Sequence, residues 1–347
     1  MSENLMSKSN TVSTFDSSNS SSSSKIEKKR KLLKKEYFNS VKIIISIFLG
    51  IVILYGLFFG SLKLYEKYKA KEYDYGIKID VNNHKMVINI DGEHNEKVLV
   101  IIPGLGSPSP VLQYKPISET FSDKYKVITM EPFGYGLSDR VEKERTIDNI
   151  VSELHNVIKD KLKIEKYYLV GHSIGGLYSL YWSNKYPDEI SGFIGFDTIV
   201  PEIETINNYD RILNKLNFIN DKFVKSDNKE KELFSSLYQK FDYTGEEMEM
   251  FRVMSTQNEF NESIKNEYSL IKYNLKMTQG MKFPKTVPVI NFICSDSTEN
   301  YPIWNNIHIN VGNESTINNV ITLTGNHFYF IMDNFDEILP KINELIK

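Results

Sequence analysis

Residues 167–176 (YYLVGHSIGG) constrain this chain more than any other stretch. A short run of strand-forming residues ends at Val170 and a Gly-x-Ser-x-Gly turn follows. Leu177–Trp182 (LYSLYW) then reads as the start of a buried helix. Strand, sharp turn and helix in this order are the context of a nucleophile elbow. A serine at the tip of such a turn has strained backbone dihedrals. The chain approaches itself closely on either side, where a β-carbon would clash, so Gly171 and Gly175 fit there. Ser173 would stand proud of the sheet, and the Ile174 amide would point towards whatever Ser173 attacks.

What precedes this stretch is different in kind. The charge of the 347 residues sums to only −3, which gives no basis for a nucleic-acid partner. Basic residues nevertheless crowd one segment: Lys25, Lys28, Lys29, Arg30, Lys31, Lys34 and Lys35. With the Ser-rich run Ser17–Ser24, they mark residues 1–40 as a disordered tail, too polar to bury apolar surface. Ile43–Leu62 carries no charge and is apolar on every face. At about 1.5 Å per residue it reaches about 30 Å, the thickness of a bilayer's hydrocarbon core. Residues 41–62 are therefore expected to form a transmembrane helix, followed by a charged linker (63–74) and a globular domain (75–347). Ala70 is the only alanine, so an A-x-A cleavage site is absent and the span is expected to be retained. Basic residues before the span outnumber those shortly after it (Lys63, Lys67, Lys69, Lys71). That bias predicts a single-pass cell-membrane protein with a cytoplasmic N-terminus and the domain outside.

Within the domain, residues 75–81 and 85–90 alternate like two antiparallel strands joined at Asn82-Asn83. Lys97–Ile102 (KVLVII) and Lys126–Met130 (KVITM) are continuous apolar runs, as in strands buried on both faces. Thr146 suits the N-cap of a helix whose apolar face is Ile147, Ile150, Val151, Leu154, Val157, Ile158 and Leu162. After the elbow come Gly192–Phe196 (GFIGF), Val287–Ile293 (VPVINFI), Val320–Leu323 (VITL) and a last helix over about 327–346. Strands alternating with helices predict an α/β fold with a mostly parallel, doubly wound sheet. The alternation pauses over 201–284, too long for a bare loop. Helix-like spacing in Ile212, Leu216, Phe218, Phe223, Leu233, Leu237 and Phe241 marks a helical insertion.

From about Lys97 onward the chain resembles the α/β-hydrolase superfamily, in its branch with a helical cap after the sixth strand. The residues that carry the likeness are Pro103-Gly104-Leu105-Gly106, Gly134-Tyr135-Gly136-Leu137-Ser138-Asp139, Gly171–Gly176 and Gly325-Asn326-His327-Phe328. The tail and the span lie outside it. A serine hydroxyl needs an adjacent base, and the base needs an acid to hold its tautomer. The resemblance implies Ser173 as nucleophile and His327, just after the last strand, as base. His308 is a rival, whereas His84, His94, His155 and His172 are placed less suitably. Asp296, just beyond the strand ending at Ile293, is favoured as the acid. Asp197, at the end of the preceding strand, is the alternative, and Glu299 trails both. The family often has its acid where Ser297 stands, and a glycine where Cys294 stands. The amides of Leu105 and Ile174 would form the oxyanion hole. Pro103-Gly104 replaces the family's usual His-Gly, which leaves the loop's anchoring open.

The implied reaction is acyl transfer to water from a carboxylic ester, lipid or small amide, with no metal or organic cofactor required. The single cysteine, Cys294, offers neither a disulfide framework nor a cysteine metal cluster. Met248, Met250, Phe251 and Met254 are candidates to line a pocket under the cap, or simply to pack it. A peptidase similar to proline iminopeptidases and a non-catalytic receptor or adhesion module on the same fold are the rival readings.

Overall fold

A computed structural model describes residues 17–206, 241–258, 261–327 and 329–346. The expected helical spacing of Ile212 through Leu237 and the position of Phe328 lie outside the described residues. The chain divides into two compact units, Met1–Tyr65 and Glu66–Lys347.

The first unit is dominated by helix α1 (Ser17–Glu72). Residues 17–40 and 63–72, expected as disordered tail and linker, are helical here. The Lys, Glu and Leu residues that fill much of both segments are good helix formers, and no proline interrupts them. Ser24–Leu62 is long and apolar enough to cross a membrane, with a mean hydropathy of 2.6 over its most apolar window. Ile44, Phe48, Leu54 and Leu57 are 64–67% exposed, an unusual display for side chains of this kind.

The second unit is built on one eight-stranded sheet, in the order β1-β2-β4-β3-β5-β6-β7-β8. The strands are β1 (Ile77–Val81), β2 (His84–Asp91), β3 (Val98–Ile102), β4 (Lys126–Glu131), β5 (Tyr167–His172), β6 (Ile190–Phe196), β7 (Val289–Cys294) and β8 (Asn318–Leu323). Only β2 runs against its neighbours; the others are parallel. Asn82 and Asn83 both have positive φ (51° and 65°), the conformation a two-residue hairpin needs and asparagine tolerates. Alternate side chains feed two cores. Val98, Val100 and Ile102 join Leu169, Ile174 and Leu177 on one face, while Leu99 and Ile101 join Val170, Ile194 and Phe292 on the other. Each such side chain contributes about 1.5–3 kcal/mol by leaving water. Burial on both faces is what the unbroken apolar runs require.

Helices cover the sheet in the order α2 (Pro110–Gln113), α3 (Lys115–Ser122), α4 (Ile147–His155) and α5 (Ile174–Lys185). Thr146 caps α4, its hydroxyl accepting from the Asn149 amide. Between β6 and β7 lie α6 (Gly245–Asn258), α7 (Glu262–Ser269) and α8 (Ile271–Met277). Asparagines staple this helical insertion to the sheet domain. Asn258 donates to the Pro108 and Gly136 carbonyls, Asn261 to Gly134 and Asn274 to Arg145, while Asn266 accepts from the Arg145 amide. Met250, Phe251 and Met254 pack with Leu112 in a small cluster of their own. After β7 come α9 (Ser295–Asn300) and α10 (Trp304–Val311). The single helix expected over 327–346 is two, α11 (Phe330–Asp333) and α12 (Phe335–Leu345). Asn334 breaks it, turning its side chain to the Thr324 and Phe330 carbonyls.

Candidate active site

The sheet's strand order reverses around β3, which lies between β4 and β5. Crevices at the carboxyl ends of strands around such a switch are where open α/β sheets bind ligands. Ser173 stands at this rim, between β5 and α5, with φ 54° and ψ −123°. That is a costly conformation for a residue with a β-carbon, and its surroundings hold it there. The Ser173 amide donates to the Phe196 carbonyl, and the Ser173 carbonyl accepts from Ile199. The neighbouring glycines are required by space. A β-carbon on Gly171 would meet the Gly176 amide at 2.8 Å, and one on Gly175 would strike the Ile102 carbonyl. One on Gly176 would strike Thr198.

His327 lies on the loop after β8 and is hydrogen-bonded through Nδ1 to Asp197 Oδ2 at 2.5 Å. Asp197 follows β6 directly, and its φ of 42° swings it out of the strand. Since His172 pairs in register with Phe196, the residues after each, Ser173 and Asp197, leave adjacent strand ends side by side. The Asp197 carboxylate is fully buried and well supplied with donors. It accepts from the Trp304 indole at 2.8 Å, the Ser297 hydroxyl at 2.7 Å, and the Cys294 amide and thiol at 3.3 and 3.2 Å. Burial alone would raise its pKa. The hydrogen bond and charge of His327, with the Ser297 hydroxyl, outweigh burial and hold it below the usual carboxylate range. Burial first, and the Asp197 charge second, push the Cys294 thiol up to about 12, so it stays protonated.

This reverses the order of preference between the two candidate acids. Asp296 sits in the first turn of α9, where its backbone amide donates to the Gly325 carbonyl. Asp197 holds the place against His327. Ser297, at the position where an acid was the family expectation, supplies a hydroxyl to Asp197 instead. Glu299 lies further along the same helix α9 and is exposed. His308 is buried, with its ring nitrogens on the Trp304 and Thr198 carbonyls rather than on the Asp197 carboxylate. His155 is paired with Glu189, and His84 and His94 are exposed.

The loop that carries Leu105 and the start of α5 at Ile174 both lie beside Ser173. Ile174 opens α5, where a first-turn amide has no intrahelical acceptor. A β-carbon placed on Gly104 would lie 3.2 Å from Cβ of Ser173, so the loop after β3 runs directly past the serine.

Sequence reasoning missed the role of His172, which it set aside as pointing elsewhere. Its Nε2 lies 3.0 Å from the His327 carbonyl and its Nδ1 2.7 Å from the Tyr114 hydroxyl, and its ring lies 4.8 Å from that of His327. Burial, then the proximity of His327, lowers its pKa to about 3, so it is neutral near pH 7. Between that value and its ordinary value of 6.5 the unfolded chain binds a proton that the folded chain refuses, so stability falls as pH falls through this window. His172→Gln is therefore expected to lose less stability than the wild type between pH 6.5 and pH 4, measured by denaturant midpoints. Parallel curves for the two proteins would contradict a buried neutral imidazole between Tyr114, His327 and Asp197.

Among the described residues, no group of three or more His, Cys, Asp or Glu side chains is arranged to hold a metal ion.

A profile of the alpha/beta hydrolase fold matches residues 97–289, more than half of the chain. The uncharacterized protein YbdG of Bacillus subtilis is 25% identical over 225 residues, 62% of this chain and 67% of that protein. The 2-(acetamidomethylene)succinate hydrolase of Mesorhizobium japonicum is 27% identical over 132 residues (38% and 46%). The 3-oxoadipate enol-lactonase 1 of Acinetobacter baylyi is 31% identical over 94 residues (27% and 34%). The chain thus spans less than half the length of these two enzymes. Among solved structures, ALR0039 of Nostoc sp. PCC 7120 superposes with a TM-score of 0.59 at 14% identity, covering 79% of this chain and 98% of that one. The epoxide hydrolase VrEH1 of Vigna radiata gives 0.55 at 19% identity, covering 78% and 97%. At such identities the superpositions speak for the fold alone, but with the profile match they lead to one conclusion: this chain belongs to the alpha/beta hydrolase fold family.

Proposed function

We propose that the chain is a membrane-tethered serine hydrolase that cleaves a carboxylic ester, lipid or small amide through an acyl-enzyme. Ser173 is the nucleophile, His327 the base and Asp197 the acid. The observation that carries the reading is the short His327–Asp197 hydrogen bond, set beside a serine in a strained turn and linked to it through the adjacent His172. Asp197 on Nδ1 fixes the tautomer that leaves the lone pair on Nε2. Ser173 Oγ attacks the carbonyl carbon and His327 takes its proton. The tetrahedral oxyanion is held by the amides of Leu105 and Ile174, each such donor being worth about 2.7–4 kcal/mol. Collapse expels the alcohol or amine with the proton from His327. Water then repeats the cycle on the acyl-serine and frees the acid. Asp197 remains ionised throughout, in keeping with its lowered pKa.

The names of two relatives, a lactonase and a hydrolase of an acetamido compound, support carbonyl substrates of this kind. Fluorophosphonate labelling of the folded full-length chain tests the reading. Labelling confined to Ser173 supports it, whereas a folded, unlabelled protein would favour a binding module.

The apolar helix and its basic N-terminal flank support a single-pass tether with residues 66–347 outside the cell. Protease added to intact cells is expected to digest the hydrolase domain and leave the basic segment protected. Protection of the whole chain until the membrane is opened would reverse the orientation.

A further inference from the structure

The loop Pro103-Gly104-Leu105-Gly106 carries one of the two amides assigned to the oxyanion, and its own anchoring is unusual. Pro103 has no N–H and no polar side chain with which to hold it. Two buried phenols do so instead. The Gly104 amide donates to the Tyr114 hydroxyl oxygen at 3.1 Å, and the Gly106 amide to the Tyr135 hydroxyl oxygen at 3.2 Å. The amide between them is that of Leu105. Tyr114 is 3% and Tyr135 1% exposed, so neither hydroxyl has water to fall back on.

Each phenol passes its own proton onward. A carbonyl can only accept, so the His327 carbonyl requires N–H on His172 Nε2, leaving Nδ1 to accept from Tyr114. The chain of donors is therefore fixed in sense: Gly104 amide to Tyr114, Tyr114 to His172, His172 to the His327 backbone. On the other side Tyr135 donates to Glu267 Oε1 at 2.9 Å, an atom that also accepts from Tyr178 on α5 at 2.6 Å. Glu267 belongs to α7, in the helical insertion, and is 1% exposed. A phenol has one proton, and both protons are committed away from the loop, so each oxygen is left to receive a loop amide.

We propose that Tyr114 and Tyr135 are positioning residues that clamp the oxyanion loop from both sides. Tyr114 couples the loop to the base-bearing loop through His172, and Tyr135 couples it to the cap through Glu267. This rests on the Ser173–His327–Asp197 reading, which it extends from the nucleophile to the geometry of its oxyanion donors. Loss of either hydroxyl leaves a buried loop amide without its acceptor and lets the Leu105 amide drift. Misplacement of a reacting geometry by about 1 Å can lower a rate by about 10²-fold.

The test uses the full-length chain in detergent, with Tyr114→Phe, Tyr135→Phe and, as a control phenol remote from the loop, Tyr167→Phe. Two quantities are measured: hydrogen exchange of the peptide spanning 103–107, and the rate of fluorophosphonate labelling at saturation with the half-saturating probe concentration. Both clamp variants are expected to exchange about tenfold faster in that peptide and to be labelled about 10- to 100-fold more slowly. Their half-saturating concentration should stay within about threefold, and the control should match the wild type in every respect. Unchanged exchange in both variants overturns the clamp, whatever the chemistry does. Faster exchange with unchanged labelling overturns the positioning role. A wild type that is never labelled would sink the nucleophile assignment, and the clamp would then be judged by exchange alone.

Discussion

Ser173→Ala is expected to abolish fluorophosphonate labelling and to lower the hydrolysis of an activated ester by about 10⁴-fold or more, with the fold intact. The substitution is unusually clean at this position. The strain at φ 54° comes from the backbone and the β-carbon, both of which alanine keeps. The Ser173 hydroxyl is buried and has no hydrogen-bond partner among the described residues, so its removal orphans nothing. A change in stability below about 1 kcal/mol is the expectation, visible as an unshifted melting curve. Intact-mass spectrometry after labelling reads the chemistry directly. A labelled alanine variant would move the nucleophile elsewhere. Residual ester hydrolysis above the water rate would not count against the reading, because the amides proposed to hold the oxyanion would remain without the serine.

The sheet could be read from the sequence because its central strands are buried on both faces, which forces unbroken apolar runs such as Val98–Ile102. The hairpin at Asn82-Asn83 was legible for a local reason, since few residues accept positive φ twice in succession. The helical breaks were not. Asn334 interrupts the last helix through bonds to the Thr324 and Phe330 carbonyls, and Thr324 is a partner that no period of apolar residues reveals. Likewise the segments flanking the apolar run look like tail and linker by charge, yet their Lys, Glu, Arg and Leu residues are good helix formers.

At the site, Ser173 and the glycines around it were legible because the turn's sterics dictate residue types over five consecutive positions. His327 was legible from its place after the last strand. The partner of His327 was not, because the choice between two aspartates depends on which strand end the imidazole faces. Three donors from other elements, the Trp304 indole, the Ser297 hydroxyl and the Cys294 amide, converge on Asp197 from 97 to 107 residues away in the chain. The phenols of Tyr114 and Tyr135 are hidden for the same reason: each acts through a single oxygen on a loop 10 or 29 residues distant. Spacing says nothing about such contacts.

Asp197→Asn should lower kcat by about 10⁴-fold with KM changed by less than about threefold, while Asp296→Asn should change either by less than about threefold. The asymmetry follows from the hydrogen bond at Nδ1. As a carboxylate, residue 197 only accepts there, so Nδ1 carries the proton and the lone pair is left on Nε2, the atom proposed to take the serine proton. An amide in its place can turn its NH2 towards the ring, favouring the tautomer with Nε2 protonated, which cannot take a proton from serine. The Trp304 indole and the Cys294 amide favour keeping the remaining oxygen on their side, so the NH2 is directed at the histidine. Asp296 has no comparable hold on the ring: its backbone amide is tied to Gly325 and its side chain is no partner of His327 Nδ1. The depressed pKa of Asp197 adds a second readout. A carboxyl held below its unfolded value contributes stability at neutral pH that is lost only as pH falls below about 4 towards the folded value. Asp197→Asn should remove that part of the acid limb of the stability curve. Equal, small kinetic losses from both variants would remove Asp197 from the mechanism, and a larger loss from Asp296→Asn would hand the role to Asp296.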